Sequence, residues 1–83
     1  MAPQKLYKIS DLMKATGLSR QTIHNYTMIG LIAEEERTPE GHRLYSTSVL
    51  RRLRRIQLLS RHRSLREIAE IFRKESEPII RKR

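Results

Sequence analysis

Ser10-Asp11-Leu12-Met13-Lys14-Ala15-Thr16-Gly17-Leu18-Ser19-Arg20-Gln21-Thr22-Ile23-His24-Asn25-Tyr26 carries two helix starts and one helix stop in a single short stretch. Ser10 reads as an N-cap, because a side-chain oxygen there can accept from the free N–H groups of a first helical turn. Asp11 follows it, and a negative charge in the first turn suits the positive end of the helix dipole. Gly17 ends this first helix, since glycine takes the left-handed conformation that a C-terminal turn requires. Ser19 is a second N-cap, and Leu18 before it can pack on Ile23 as a hydrophobic staple. The second helix then runs from Arg20 to about Met28, with Ile23 and Tyr26 sharing one face. Arg20, Gln21, His24, Asn25 and Thr27 fall on the remaining surface. That set is rich in groups that hydrogen-bond base edges and phosphates, unlike the Glu/Lys mixture of a merely solvated face. Two short capped helices separated by Gly17-Leu18-Ser19 form a tight helix-turn-helix.

Gly30 closes the second helix and Leu31-Ile32-Ala33 begins an extended stretch that continues to Arg37. Thr38-Pro39-Glu40-Gly41 is a turn signal, with Pro39 fixing φ and Gly41 free to take φ > 0. His42-Arg43-Leu44-Tyr45 returns as a strand, placing Arg43 and Tyr45 on one face and His42 and Leu44 on the other. The two strands read as a wing. Glu34-Glu35-Glu36, the one acidic run, reads as solvated or as repelling a polyanion locally. Ser46 caps a third helix whose stripe is Val49, Leu50, Leu53, Ile56 and Leu59, with Arg51, Arg52, Arg54 and Arg55 outside. These four arginines spread over a wide arc, so at most two can face one DNA backbone; a solvated face is the plainer reading. Ser64-Leu65-Arg66-Glu67 is a capping box opening a fourth helix, with Ile68, Ala69 and Phe72 inward, that ends before Pro78. The expected fold is mainly α: a winged helix-turn-helix of four short helices with a two-stranded β-wing between helices 2 and 3. Residues 1–77 form the domain and 78–83 a basic C-terminal tail.

Composition sets the limits. A chain of 83 residues is one domain. At 37% hydrophobic residues its core is thin, so good helix caps must help it fold. There is no cysteine, which removes disulfides and thiolate zinc sites. The N-terminal residues lack the apolar core of a signal peptide, and no apolar run reaches the roughly 20 residues that span a bilayer. A soluble, cytoplasmic protein without membrane contact is the expectation. Net charge is +9, from 18 Lys+Arg against 9 Asp+Glu, and most of the excess lies after residue 45. Such a field attracts a polyanion, although ribosomal proteins and RNA chaperones share it. His24, His42 and His62 have no local ligand spacing, so no metal or other cofactor is expected. The serines serve as caps and the glycines as turns; no base, nucleophile and metal come together, and the chain does not read as an enzyme.

Tyr7-Lys8-Ile9-Ser10-Asp11-Leu12, Thr16-Gly17-Leu18-Ser19, Thr22-Ile23, Tyr26 and Gly30-Leu31-Ile32 together resemble the mercury-resistance-regulator (MerR) family of winged helix-turn-helix regulators. The resemblance is strongest over Arg37-Thr38-Pro39-Glu40-Gly41-His42-Arg43-Leu44-Tyr45-Ser46. It implies a DNA-binding transcription regulator whose second helix enters the major groove, with Ser19, Arg20, Gln21 and Thr22 near its start at bases or adjacent phosphates. Where the family usually has Arg-Tyr-Tyr, this chain has His24-Asn25-Tyr26. Tyr26 keeps its hydroxyl for a phosphate or a core partner, Asn25 can bond adenine in a bidentate manner, and a fixed positive charge is lost. Arg43 matches a family arginine that grips backbone, Arg37 is placed to support it, and His42 replaces an aromatic residue. Family members continue into a long dimerisation helix and an effector pocket that have no counterpart after Lys74. The chain is then either an excised domain or a short relative that associates differently.

The partners expected are double-stranded DNA, with self-association on DNA or a contact to RNA polymerase. Two other readings stay open: an excisionase-like or head-to-tail cooperative architectural DNA binder, and an RNA- or protein-interaction module using the basic half of the chain.

Overall fold

The computed structural model describes residues 5–76. Along the chain run β1 (Leu6–Lys8), α1 (Ile9–Thr16), α2 (Arg20–Met28), β2 (Glu36–Arg37), β3 (Arg43–Ser46), α3 (Thr47–Leu59) and α4 (Leu65–Ser76). The proposed tail at 78–83 lies outside the described residues. Four helices and the hairpin between α2 and α3 match the expected winged architecture. The sheet, however, has three strands in the order β1-β3-β2. β3 is its central strand, pairing antiparallel with β1 through Leu6↔Ser46, Tyr7↔Tyr45 and Lys8↔Leu44. On its other edge it pairs with β2 through Glu36↔Leu44 and Arg37↔Arg43. A two-stranded hairpin is marginal in water, and β1 supplies the third strand that holds β3 against the helices.

Pairing of β1 also moves the start of α1. The chain enters α1 straight from a strand, so Lys8, still extended at φ −81° and ψ 164°, is the cap residue and Ser10 lies inside the first turn. Asp11 accepts the Lys8 backbone N–H at 2.9 Å, so the acidic first turn that the sequence signalled closes the helix start by reaching back. At the other end Gly17 is left-handed, with φ 80°, and its N–H bonds Met13 O. The Gln57 side chain of α3 donates to Thr16 O at 2.8 Å, satisfying another terminal carbonyl of α1.

The core is formed by Leu12, Ile23, Tyr26, Leu31, Ile32, Tyr45, Val49, Leu53, Ile56, Ile68 and Phe72, with Leu18, Leu50, Leu59 and Ala69 packed at its edge. The α3 stripe expected from its spacing is thus inward, deepest at Leu53 and Ile56. Ser46 sits at the cap position of α3, but its hydroxyl shares a 2.7 Å bond with Ser48 Oγ and makes no cap bond. Ser64 and Glu67 form the capping box of α4: Glu67 accepts from Ser64 N at 2.9 Å, and Ser64 Oγ accepts from Glu67 N at 3.2 Å.

The arginine cluster of α3 is divided between two tasks. The Arg52 guanidinium lies 4.1 Å from the centre of the Phe72 ring, a cation–π contact with α4. Arg55 pairs with Glu75 of α4. Arg51 and Arg54 are exposed. Half of the cluster therefore docks α4 onto α3, and the other half faces solvent.

Candidate nucleic-acid interface

Local capping builds the first part of the site. Ser19 is extended, its Oγ accepts from Thr22 N at 3.1 Å, and its hydroxyl donates to Thr22 Oγ1 at 2.9 Å. Both residues, singled out from sequence as contacts, are thus tied into the start of α2 and fix where its outward face points. On that face Gln21 Nε2 donates to Asn25 Oδ1 at 2.9 Å, one turn apart, and both side chains are exposed. The bond leaves Gln21 Oε1 as an acceptor and Asn25 Nδ2 as a donor, a pair complementary to the N6 donor and N7 acceptor of adenine.

One residue of α2 differs in placement from its sequence reading. Thr27, assigned to the outer surface, is half-buried: its hydroxyl donates to Ile23 O at 3.0 Å and meets the Tyr45 hydroxyl at 3.0 Å. A threonine can turn inward because the carbonyl one turn back takes its proton. Tyr26 is only 9% exposed and lies in the core on the face it shares with Ile23, the second of the two roles its sequence position allows.

The wing brings the second part. Gly41 at φ 92° makes the turn, with its N–H on Thr38 O at 2.8 Å, while Thr38 N bonds His42 O at 2.9 Å. His42 is exposed at the tip. Arg37 and Arg43 stand directly opposite each other across the hairpin, on one face. Both converge on Glu34: Arg37 Nε is 2.5 Å from Oε2 and Arg43 Nε 2.6 Å from Oε1. The first glutamate of the acidic run is therefore paired, not merely solvated. The Arg37 hydrogen bond is the largest influence holding its carboxyl below the usual range; burial opposes it and the Arg43 bond adds to it. Glu34 in turn raises the Arg37 guanidinium above its ordinary value, first through that bond and then through its charge.

Between α2 and the wing runs a groove of about 740 Å³, lined by Lys8, Ile9, Ser10, Arg20, Gln21, His24, Gly41, His42, Arg43 and Tyr45. Five of the residues expected from sequence, Arg20, Gln21, His24, His42 and Arg43, meet there. Asn25 joins them through Gln21, and Arg37 stands beside Arg43 on the wing. Lys8 was missed: only the pairing of β1, invisible from three residues, carries it to this wall. Among the described residues that line the groove are three cations and two imidazoles and no carboxylate. Such a trough attracts an anionic chain and offers amides beside it to read base edges.

A helix-turn-helix with a β-wing and a basic groove between them defines a winged-helix nucleic-acid-binding domain. The model of the family described as "MerR family regulatory protein" matches residues 8–45. The N-terminal part of MtaN, the Bacillus subtilis multidrug transporter activator, superposes with a TM-score of 0.78 at 30% identity, covering 92% of this chain and 70% of that one. A MerR-family transcriptional regulator from Bacillus cereus superposes with a TM-score of 0.78 at 27% identity, over 89% of this chain and 56% of that one. The chain belongs to the MerR family. Among curated relatives it is 38% identical over 56 residues to the nodulation protein NolA of Bradyrhizobium elkanii, matching 68% of this chain and 26% of that protein. To the mercuric resistance operon regulatory protein of Bacillus cereus it is 40% identical over 47 residues, 57% of this chain and 36% of that protein. The match thus spans about a quarter to a third of the length of these curated relatives.

Proposed function

We propose that this chain binds double-stranded DNA with sequence preference, as the reading head of a transcription regulator. The start of α2 enters the major groove, and the wing holds the flanking backbone. Arg20, Gln21, His24 and Asn25 reach bases or adjacent phosphates, Ser19 and Thr22 set the helix start, Arg37, His42 and Arg43 meet the backbone, and Tyr26 supports the helix from beneath. The observation that carries this reading is the groove in which α2 and the wing bring Lys8, Arg20 and Arg43 beside the Gln21 amide. Residues 1–77 are the unit that does this, and 78–83 add basic charge. The chain acts as a binding module without catalysis or cofactor, in the cytoplasm, and among the described residues no helix is long and apolar enough to cross a membrane. Regulation adds self-association on DNA or a contact with RNA polymerase.

Selection of bound sequences from a random duplex pool tests the proposal. An enriched motif, with log K falling by about 0.9 per log[salt] for each neutralised phosphate, supports it. Scrambled duplex bound as tightly as any selected one refutes it. The arrangement of enriched half-sites, inverted or directly repeated, tells a symmetric assembly from a head-to-tail one.

A further inference from the structure

Among the described residues Glu34 is the one carboxylate bonded to Arg37 and Arg43 of the wing, and a carboxylate beside a DNA-binding surface ordinarily opposes binding. Its geometry says otherwise. The register sets Arg37 opposite Arg43, so two cations stand on neighbouring strands with side chains on the same face. Like charges so placed repel and splay. The Glu34 carboxylate lies between them and takes one Nε–H from each, on separate oxygens. Arg37 reaches Oε1 more distantly with one terminal nitrogen, at 3.5 Å. Each guanidinium is a rigid planar fork, so fixing its Nε edge fixes the direction of the remaining donors. Among the described residues no acceptor is seen for the terminal nitrogens of Arg43, which lines the groove. Glu34, 27% exposed in its side chain, is not among the residues lining the groove, whereas its neighbours Glu35 and Glu36 are exposed and, among the described residues, make no such contact.

We propose that Glu34 is a positioning residue for DNA: it aligns Arg37 and Arg43 as a preset phosphate clamp whose free donors face the backbone beside the groove. This rests on the DNA-binding reading and deepens it. Ordering two long side chains before binding lowers the entropy lost on association. That gain exceeds the repulsion of one screened carboxylate whose charge the two guanidinium groups already neutralise locally.

Duplex affinity is measured by fluorescence anisotropy across a salt series for the wild type and for Glu34→Gln, Glu34→Asp, Glu35→Gln and Glu36→Gln. A selected duplex is used, or a random-sequence duplex if selection enriches none. Every single charge removal raises net charge by one, so electrostatics alone tightens binding in all three Gln variants alike. The clamp predicts that Glu34→Gln binds about tenfold more weakly, that Glu34→Asp recovers part of the loss, and that Glu35→Gln and Glu36→Gln bind as tightly as wild type or tighter. In the free protein, two arginine Nε–H NMR signals protected from exchange in wild type are lost in Glu34→Gln, at unchanged far-ultraviolet circular dichroism. Tighter binding by Glu34→Gln, or protected signals that survive it, overturns the clamp while leaving the DNA-binding reading intact. Wild-type affinity retained in both Arg37→Ala and Arg43→Ala overturns the wing's role in that reading itself.

Discussion

The Tyr45 hydroxyl joins the central strand of the sheet to α2, and the direction of its hydrogen bond can be worked out from the proton count. Thr27 has one hydroxyl proton, and that proton goes to Ile23 O at 3.0 Å. At the 3.0 Å contact with Thr27 Oγ1, Tyr45 must therefore be the donor. Tyr45→Phe removes the donor and leaves a lone pair on a threonine that still has another partner, so the cost is that of one neutral hydrogen bond, about 1 kcal/mol. Thr27→Val instead leaves the hydroxyl of Tyr45, a residue only 1% exposed, without an acceptor among the described residues. A stranded buried donor costs more, about 1–3 kcal/mol. The double variant replaces both partners with apolar groups of similar shape and is expected to be more stable than Thr27→Val alone. In a domain of this size about 1 kcal/mol moves Tm by roughly 4–8 °C. Thermal unfolding followed by circular dichroism then ranks wild type first, Tyr45→Phe second and Thr27→Val last. Tyr45→Phe falling below Thr27→Val, or the two losses adding fully in the double variant, refutes the assigned direction.

Ser19→Ala removes the side-chain acceptor at the start of α2 and is expected to lower stability by about 1 kcal/mol, measured by urea unfolding. Arg43→Ala is expected to weaken binding to every duplex and to reduce the slope of log K on log[salt] by about 1 in a salt titration. Gln21→Ala or Asn25→Ala is expected to flatten discrimination at one base position by about 1–3 kcal/mol, read by comparing single-substituted sites. The lowered pKa of Glu34 means that its ion pairs favour folding above the usual carboxylate range and that this contribution is lost as pH falls through the lowered value. Glu34→Gln is accordingly expected to lose less stability than wild type on acidification; equal losses in parallel pH-dependent melts would contradict the pairing.

What the sequence made legible was local. Ser19, Gly17, Gly30, Gly41 and the Ser64–Glu67 box each act within a few residues, and the helices and turn they mark stand where those residues place them. The stripe of α3 was legible for the same reason, because one face of one helix is a periodic signal. Features made by distant residues were not. Three residues, Leu6-Tyr7-Lys8, cannot display alternation, and their partner strand lies at Leu44–Ser46. Missing β1 displaced the cap of α1 from Lys8 to Ser10 and hid Lys8 from the groove. The polarity of Thr27 suggests exposure, but a hydroxyl bonded to Ile23 O and facing Tyr45 is satisfied in the interior. In sequence Glu34 is indistinguishable from its acidic neighbours, and only the register that sets Arg37 against Arg43 shows why it differs.

Amide NMR of the chain titrated with a selected duplex addresses the groove between helix and hairpin most directly. Shifts concentrated at residues 19–25 and 37–43, with Lys8 among the responders, are the expected pattern. Unmoved signals there, with changes confined to the outer surfaces of α3 and α4, would show that the duplex is held elsewhere.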